Sequence, residues 1–542
     1  MASLAANLSQ SGTMWSVISV APYAIGLSFF AFAYFVILPY IEYLRDPKGL
    51  RKYPNLSPFS GFSAIPFMLM AGRGFRSREL AELHKTHPVI RTAPNALSYG
   101  DARAIKDIYG HNTKCTKDGA YSVPVGSHYN LADVVDKPDH ARKRKVLSSA
   151  YALKNLESWE YKVTDKIQRM FRHFDKVCTL APKEDVASGK VAPDQKELTL
   201  DLRGWNNFFT LDAIADIGLS EKLGFLDAGN DMVTAERKDG STYQTSLREA
   251  LYPTARKQSY LLWDYNWYLT INKLVDVIPF FKRMSKSADD WENIMWHRGS
   301  KRLERYENGE KLDDFFQALM EDKNGNANNL EWGEVVAECN IMMNAGSVTT
   351  AVAITNVMYQ LLRNPKALMK LREELDSVLD EDEVVADYDK VKHLPYLRAC
   401  LDESLRIFPP TSHGLPRETP AEGANILGDW VAGSTTVSMS AFVAHRLESI
   451  FPNADQYIPE RWLGEEGKSL QPYLIAFSAG ARSCIGRNIS YLEQAKAVAS
   501  MVHRYDFALA YPGWELQREE TMNLILGDMP VKIWRRDRSA EA

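Results

Sequence analysis

The chain has 542 residues, 45% hydrophobic and 25% charged, with 65 Lys+Arg against 69 Asp+Glu and a net charge of −4. This is the composition of a folded enzyme; it excludes a disordered, collagen-like or coiled-coil chain and offers no basic footprint for nucleic acid. Five cysteines are too few for a disulfide scaffold, no Cys-x-x-Cys or His-Glu-x-x-His zinc pattern occurs, and length alone suggests three or four domains.

Met1 to Ile41 contains no Asp, Glu, Lys or Arg; the first charge is Glu42. Trp15 to Tyr40 is almost wholly apolar, and about 20 helical residues suffice to cross the hydrocarbon core. A cleaved signal peptide would carry a charged n-region and a shorter apolar run. Residues 15–41 are therefore expected to form a membrane anchor, with Pro22 and Pro39 bracketing its helix. Arg45, Lys48, Arg51 and Lys52 follow it, which places residues 1–14 in the lumen and the bulk of the chain in the cytosol. The sequon at Asn7 then lies on the lumenal side. Residues 42–66, basic and punctuated by Pro54, Pro58 and Pro66, are expected to form a stiff hinge.

The remaining 67–542 show no repeat and no linker between separate cores. Helical periodicity marks Asn155–Phe174, Pro365–Leu379 (Asn364 as N-cap, Pro365 at N1) and Gly486–Tyr505. Polar interruptions fall at Pro182–Gln195, Asp227–Ser246 and Asp322–Asn329, and strand-like pieces only near Val89–Tyr99 and Thr435–Ser440. The fold class is mainly α with a minor β-sheet. Asn340 to Leu362 lacks charge, yet its Asn, Ser, Thr and Gln content fits lipid poorly. It reads as a helix buried all round, with polar groups facing something in the interior.

Phe477-Ser-Ala-Gly480-Ala-Arg482-Ser-Cys484-Ile-Gly486 then opens a helical run. Its glycines allow a tight turn and close approach to a flat partner. Arg482 and the amides of the following helix favour thiolate over thiol at Cys484. A chance match to those five positions is on the order of 10⁻⁴ or less from composition.

This segment resembles the haem-thiolate loop of the cytochrome P450 family, and the resemblance covers about residues 50 to 535. It implies haem b as cofactor, with Cys484 as axial iron ligand and Phe477, Gly480, Arg482 and Gly486 around it. Glu403-Ser-Leu-Arg406 matches the family's Glu-x-x-Arg, and Pro459-Glu-Arg461-Trp462 its later Pro-x-Arg element. Together they imply a structural cluster of Glu403, Arg406 and Arg461. Ala345-Gly346-Ser347-Val348-Thr349-Thr350 resembles the oxygen-binding helix. There Gly346 would leave room beside the iron and Thr349 would bond dioxygen and its water; Thr349 satisfied by a backbone carbonyl is the plainer alternative. Val348 departs from the family, which usually has a carboxylate there, so proton delivery must use Thr349, water or another acid, or the reaction must depend on it less; Glu334 and Glu338 lie on the same predicted helix but two to four turns away. His140, Arg144, Arg482 and Arg417 are implied to contact haem propionates.

Among possible pocket residues are Tyr121, Thr411, Ser412 and His413, and an aromatic-rich stretch from Tyr252 to Phe281 that could be lid or core. The resemblance is strongest to fungal benzoate 4-monooxygenase-like members. It implies a single-pass endoplasmic-reticulum enzyme with a cytosolic catalytic domain, fed by NADPH–cytochrome P450 reductase docking on a basic surface such as Arg142–Lys145. The substrate class would be a small hydrophobic or aromatic metabolite of secondary metabolism or aromatic breakdown. Oxidative phenol coupling without oxygen insertion, or haem binding without turnover, are the other readings.

Overall fold

The computed structural model describes residues 26–537, apart from 124, 125, 127 and 323. The Asn7 sequon, the 1–14 segment, Pro22 and the first part of the anchor lie outside the described residues. The remainder of the anchor is one helix, Gly26–Arg45, whose apolar window is not buried at all. Pro39 does not bracket it. A π-helical stretch over Ala33–Ile37 precedes the proline, and the helix continues to Arg45. Proline lacks an N–H and its ring crowds the carbonyl four residues back; a widened turn relieves both.

The Pro-rich segment after the anchor lies along the edge of a sheet. Leu50 and Tyr53 are buried. Arg91 N–H donates to Pro54 O (2.8 Å), and Leu56 N–H donates to Arg91 O (2.9 Å). An edge position suits prolines, which have no donor to offer, and covers the edge strand.

That sheet has five strands in the order Val89–Ala93, Ala96–Tyr99, Thr436–Ser438, Arg417–Glu418, Thr116–Lys117. The single strand-like piece expected at Val89–Tyr99 is a hairpin, turned at Pro94 and Asn95. Thr436–Ser438 runs parallel to its second strand, and Thr116–Lys117 pairs antiparallel with Arg417–Glu418. The topology thus brings Lys117 directly opposite Arg417, 300 residues on.

The helical body is built round Trp332–Arg363, 32 residues long and mostly buried over its apolar window. It packs against the helices Leu202–Leu219 and Arg487–Arg504. Several of its polar side chains bond neighbouring elements, while Ser347 and Thr349 bond carbonyls of their own helix. Asn206 donates to Thr355 Oγ1 (3.0 Å), Trp291 Nε1 to Asn340 Oδ1 (2.9 Å), and Arg518 Nε to Asn356 Oδ1 (3.1 Å). Thr350 shares a 3.0 Å bond with Ser490, which ties this helix to the one that follows Cys484.

Several boundaries differ from the periodicity. Asn155–Phe174 is two helices, Leu153–Ser158 and Glu160–Val177, broken at Trp159. The polar stretch Asp227–Ser246 contains a hairpin, Met232–Glu236 with Thr242–Ser246. Asn364 stands at the N-cap of Pro365–Asp376 as expected, its carbonyl accepting from Ala367 N–H (2.9 Å), but its side chain donates back to Gln360 O (2.8 Å) and caps nothing.

Candidate active site

Cys484 lies between a 3₁₀ turn, Gly480–Arg482, and the helix Arg487–Arg504. Its N–H donates to Phe477 O (2.9 Å), which closes the loop, and the Phe477 ring packs on Tyr491 at 5.3 Å. Gly480 has φ +67°, and a Cβ there would lie 2.1 Å from Tyr109 O, so the close approach requires glycine. Gly486 needs no such freedom: the nearest contact of a Cβ would be 3.7 Å away.

Cys484 itself is exposed, unlike the buried Cys115, Cys339 and Cys400. Burial by the surrounding protein still pushes its thiol upward. The N–H groups of Gly486 and Arg487 and the charges of Arg144 and Arg487 oppose that shift without cancelling it. The amides of the following helix thus favour thiolate as expected, against the opposing effect of burial. Arg482 is not the helping cation. Its Nη atoms donate to the carbonyls of Val134 and Val135, both at 2.8 Å.

Glu403, Arg406 and Arg461 meet in the interior. Glu403 and Arg406 are fully buried and form a bidentate pair at 2.8 and 2.9 Å; Arg461 Nε donates to Glu403 at 3.1 Å. Trp462 Nε1 and the N–H of Ile458 complete the carboxylate's partners, each at 2.9 Å. Arg406 also donates to the carbonyls of His445, Ala454 and Gln456. With every lone pair and N–H engaged, the buried charges are held without an orphan.

His445, which has no motif signal in the sequence, links this cluster to the cysteine loop. One ring nitrogen bonds Arg406 O (3.1 Å) and the other accepts from the N–H of Ile475 (2.9 Å). Burial and the Arg406 charge lower it to about 3, so the ring is neutral and can play both roles. Ser478 N–H then donates to Ile475 O (2.9 Å), on the way to Cys484.

A second group is cationic. His140, Arg144, Arg417 and Arg482 come together as the sequence suggests, and Lys117 joins them. Lys117 and Arg417 are both buried and are direct register partners across the sheet; like charges so placed repel. Burial, then Arg417 and Arg482, bring Lys117 down to about 7. Burial, then Arg482, Lys117 and Arg144, bring His140 down to about 4. The nearby carboxylate of Asp133 is itself pushed up to about 6, chiefly by burial. Arg144 Nη1 is engaged by Ser483 O (2.8 Å), beside the cysteine. Tyr121 belongs here too, its hydroxyl 3.5 Å from Arg417 Nη1 and Lys117 4.4 Å from its ring centre.

On the central helix, Ala345 is exposed and Thr349 half-buried, one turn apart, while Val348 is buried among apolar residues. Thr349 Oγ1 donates to Ala345 O (2.9 Å), the backbone-satisfied form. Gly346 is required by a neighbour in the protein: a Cβ there would lie 2.7 Å from Ile214. Glu334 is engaged by Arg142 and by Lys143 (2.8 Å). Those bonds outweigh burial and bring it down to about 2. Lys143 is buried, so the run Arg142–Lys145 is not a wholly solvated face. Glu338, pushed by burial to about 7, accepts from Leu131 N–H (3.2 Å).

Of the other pocket residues, Thr411 donates to Asn523 Oδ1 (2.7 Å). Ser412 is fully buried and donates to Pro409 O (2.8 Å), so its side chain lines nothing. His413 is buried against Trp263, with Nδ1 unpartnered among the described residues; burial, then Arg76, hold it neutral. The aromatic stretch divides: Tyr268 is core, while Trp267 packs on Phe35 (5.1 Å) and Phe280 is exposed.

An exposed thiol on a clamped loop, a satisfied Glu–Arg–Arg cluster and a buried cationic group, on a mainly helical body with a minor sheet, define the architecture of a haem-thiolate enzyme. The family model for cytochrome P450 matches residues 92–533, and the chain belongs to the cytochrome P450 family. It is accordingly an oxidoreductase of the monooxygenase type. Similar proteins include benzoate 4-monooxygenase bphA of Aspergillus niger, 28% identical over 94% of this chain and 96% of that one. The cytochrome P450 monooxygenase atr2 of Stereocaulon alpinum is 31% identical over 87% of each chain. A crystal structure of a cytochrome P450, CYP102L1, superposes with a TM-score of 0.66 at 17% identity, covering 89% of this chain and 99% of that one.

The residues present fit a haem held through cysteine. Cys484 offers an accessible sulfur, and the Lys117–Arg417 pair with His140 and Arg482 would be relieved of mutual repulsion by the two propionates.

Proposed function

We propose that the chain is a membrane-anchored monooxygenase that inserts one atom of dioxygen into a small hydrophobic aromatic metabolite, with electrons from NADPH–cytochrome P450 reductase. The observation that carries this reading is the accessible Cys484 beside a cationic cluster short of carboxylate. Cys484 would ligate haem b, and Lys117, His140, Arg144, Arg417 and Arg482 would take its propionates. Bound there, a thiolate-ligated haem supplies dioxygen activation, the sulfur's electron density favouring O–O cleavage.

Thr349 presents a hydroxyl on the accessible face of the central helix; rotation away from Ala345 O would let it hand its proton to an acceptor. Val348 can neither donate nor accept. The N-terminal helix and the exposed Ile65, Leu69, Leu269 and Phe280 support seating on the endoplasmic-reticulum membrane, with the catalytic domain in the cytosol. Exposed Lys137, Arg142, Lys145 and Arg487 near the cysteine loop suit an acidic flavoprotein partner. An aromatic substrate is supported by similarity along nearly the whole chain to a benzoate 4-monooxygenase.

The apolar surroundings of Val348 favour, as a second reading, phenol coupling without oxygen insertion. Microsomes containing this protein and reductase, supplied with NADPH, ¹⁸O₂ and benzoate or simple phenols, separate the two. Label in the product supports oxygen insertion; unlabelled dimers overturn it.

A further inference from the structure

A second cleft lies away from the Cys484 loop and the Lys117–Arg417 group. It sits between the helix Arg76–His84, the end of Trp332–Arg363, and the segments carrying Phe408, Arg446 and Arg518. Its volume is about 1130 Å³, ample for an organic ligand.

Four guanidiniums line it, those of Arg78, Arg363, Arg446 and Arg518, of which Arg518 already donates to Asn356 Oδ1 and Leu516 O. Arg446 lies 3.5 Å over the Phe442 ring, and Arg518 lies 3.6 Å over Phe408. Stacking covers the faces of a guanidinium and leaves its N–H edge for in-plane acceptors, the geometry that suits phosphate oxygens. Arg446 Nη1 is buried without a hydrogen-bond partner among the described residues. Its ion pair to Asp455 uses Nε (3.1 Å), and Asp455 is 87% exposed. Arg78, exposed on the facing helix, stacks on Phe75 at 4.8 Å and joins no ion pair among the described residues.

The carboxylates that line the cleft are Glu82, Glu448, Asp455 and the exposed Glu515, which faces Arg518, and none of them pairs with Arg78. Glu82 is paired with Lys85 (2.7 Å), and Glu448 caps the N–H groups of Asn453 and Ala454 (2.9 and 3.1 Å). Burial foremost, with repulsion from Arg406 and Arg78, brings Arg446 down to about 9. Burial, with Arg78 adding to it, brings Arg518 down to about 10. Strongly perturbed cations lining a cleft mark a site that gains from a bound anion.

We propose that this cleft binds a phosphate group, with Arg78 and Arg446 as donors and Phe408 and Phe442 as its floor. The group could belong to a soluble phosphorylated compound or to a lipid headgroup. Membrane proximity bears on the second source: the helix Ile65–Gly72, just before Arg78 in the chain, exposes Ile65 and Leu69.

The full-length, haem-loaded protein in detergent is titrated by calorimetry with inorganic pyrophosphate and, separately, with dioctanoyl phosphatidic acid, dioctanoylglycerol being the control. Binding in either arm should weaken at least about tenfold in Arg78→Gln and in Arg446→Met, the loss of one charge-assisted bond. Lys301→Gln, an exposed cation elsewhere, should bind as the parent does. Pyrophosphate binding alone assigns a soluble ligand; phosphatidic acid binding, alone or with pyrophosphate, assigns a headgroup-competent site. Binding in neither arm, or unchanged affinity in Arg78→Gln, overturns the proposal. Arg78 is exposed, so that variant keeps the test decisive if Arg446→Met fails to fold.

Discussion

Lys117 and Arg417 face each other across two antiparallel strands, both buried, with Arg482 adding its charge to the same space. Without a cofactor the protein bears this repulsion; under the proposed function two propionates in this space would relieve it. Lys117→Met should therefore raise the thermal midpoint of the haem-free protein, by an effect of about 1 kcal/mol, and speed haem loss to a scavenging apomyoglobin. An unchanged rate of haem transfer would remove Lys117 from the propionate set.

Cys484→Ser should abolish the carbon monoxide difference spectrum of thiolate ligation while leaving the far-ultraviolet circular dichroism unchanged. The loop is clamped through the backbone of Phe477 and Cys484, which serine keeps. Retention of the thiolate spectrum would overturn the ligand assignment.

Arg461→Ala leaves the fully buried Glu403 short of one cation, since Arg461 Nε holds one of its oxygens at 3.1 Å. Breaking a buried pair costs roughly 3–5 kcal/mol, and because Arg406 still pairs with Glu403 the loss falls at the lower end. Urea unfolding followed by tryptophan fluorescence measures the change. A loss under about 1 kcal/mol would mark the contact as no stronger than a surface pair.

Val348→Asp puts a carboxyl into an apolar neighbourhood that is 5% exposed. The side chain should stay protonated near neutrality and lower stability by about 2 kcal/mol. The fraction of reducing equivalents released as hydrogen peroxide should change as the new group reaches water near Thr349. Identical peroxide yields in parent and variant would show that protons bypass this position.

Glu338 gives a pH signature. Burial raises its folded-state value from 4.5 to about 7, so between those values the folded protein holds a proton that the unfolded chain has released. Stability contributed by this group is full below about 4.5, falls as pH rises, and levels off above about 7. Glu338→Gln should remove that fall, worth about 3 kcal/mol across the window. Denaturant midpoints of parent and variant at pH 4.5 and 7.5 test it; parallel profiles would refute the shift.

Much of this site was legible because it is local. The Cys484 loop and the Glu403–Arg406 pair each lie within a few residues, so spacing alone puts their side chains on one turn or one helix face. Lys117 and His445 were not legible. Lys117 owes its place to a strand paired with residues 300 positions away, and His445 to a backbone N–H at Ile475 that no side-chain pattern announces. Pro39 misled for a related reason: a proline predicts a helix break from its own geometry, but the widened turn before it removed the conflict.

The sequence by itself determined the family, the mainly helical class and the cysteine, because apolar periodicity and a short motif encode them directly. Length alone suggested three or four units, but the lack of a linker or repeat over 67–542 already spoke for one body. Only the tertiary structure added Lys117 to the cations beside the cysteine and decided how Thr349 is bonded and where the polar side chains of the central helix find partners. Those depend on contacts between residues far apart in the chain, where burial, not spacing, sets charge and hydrogen bonding.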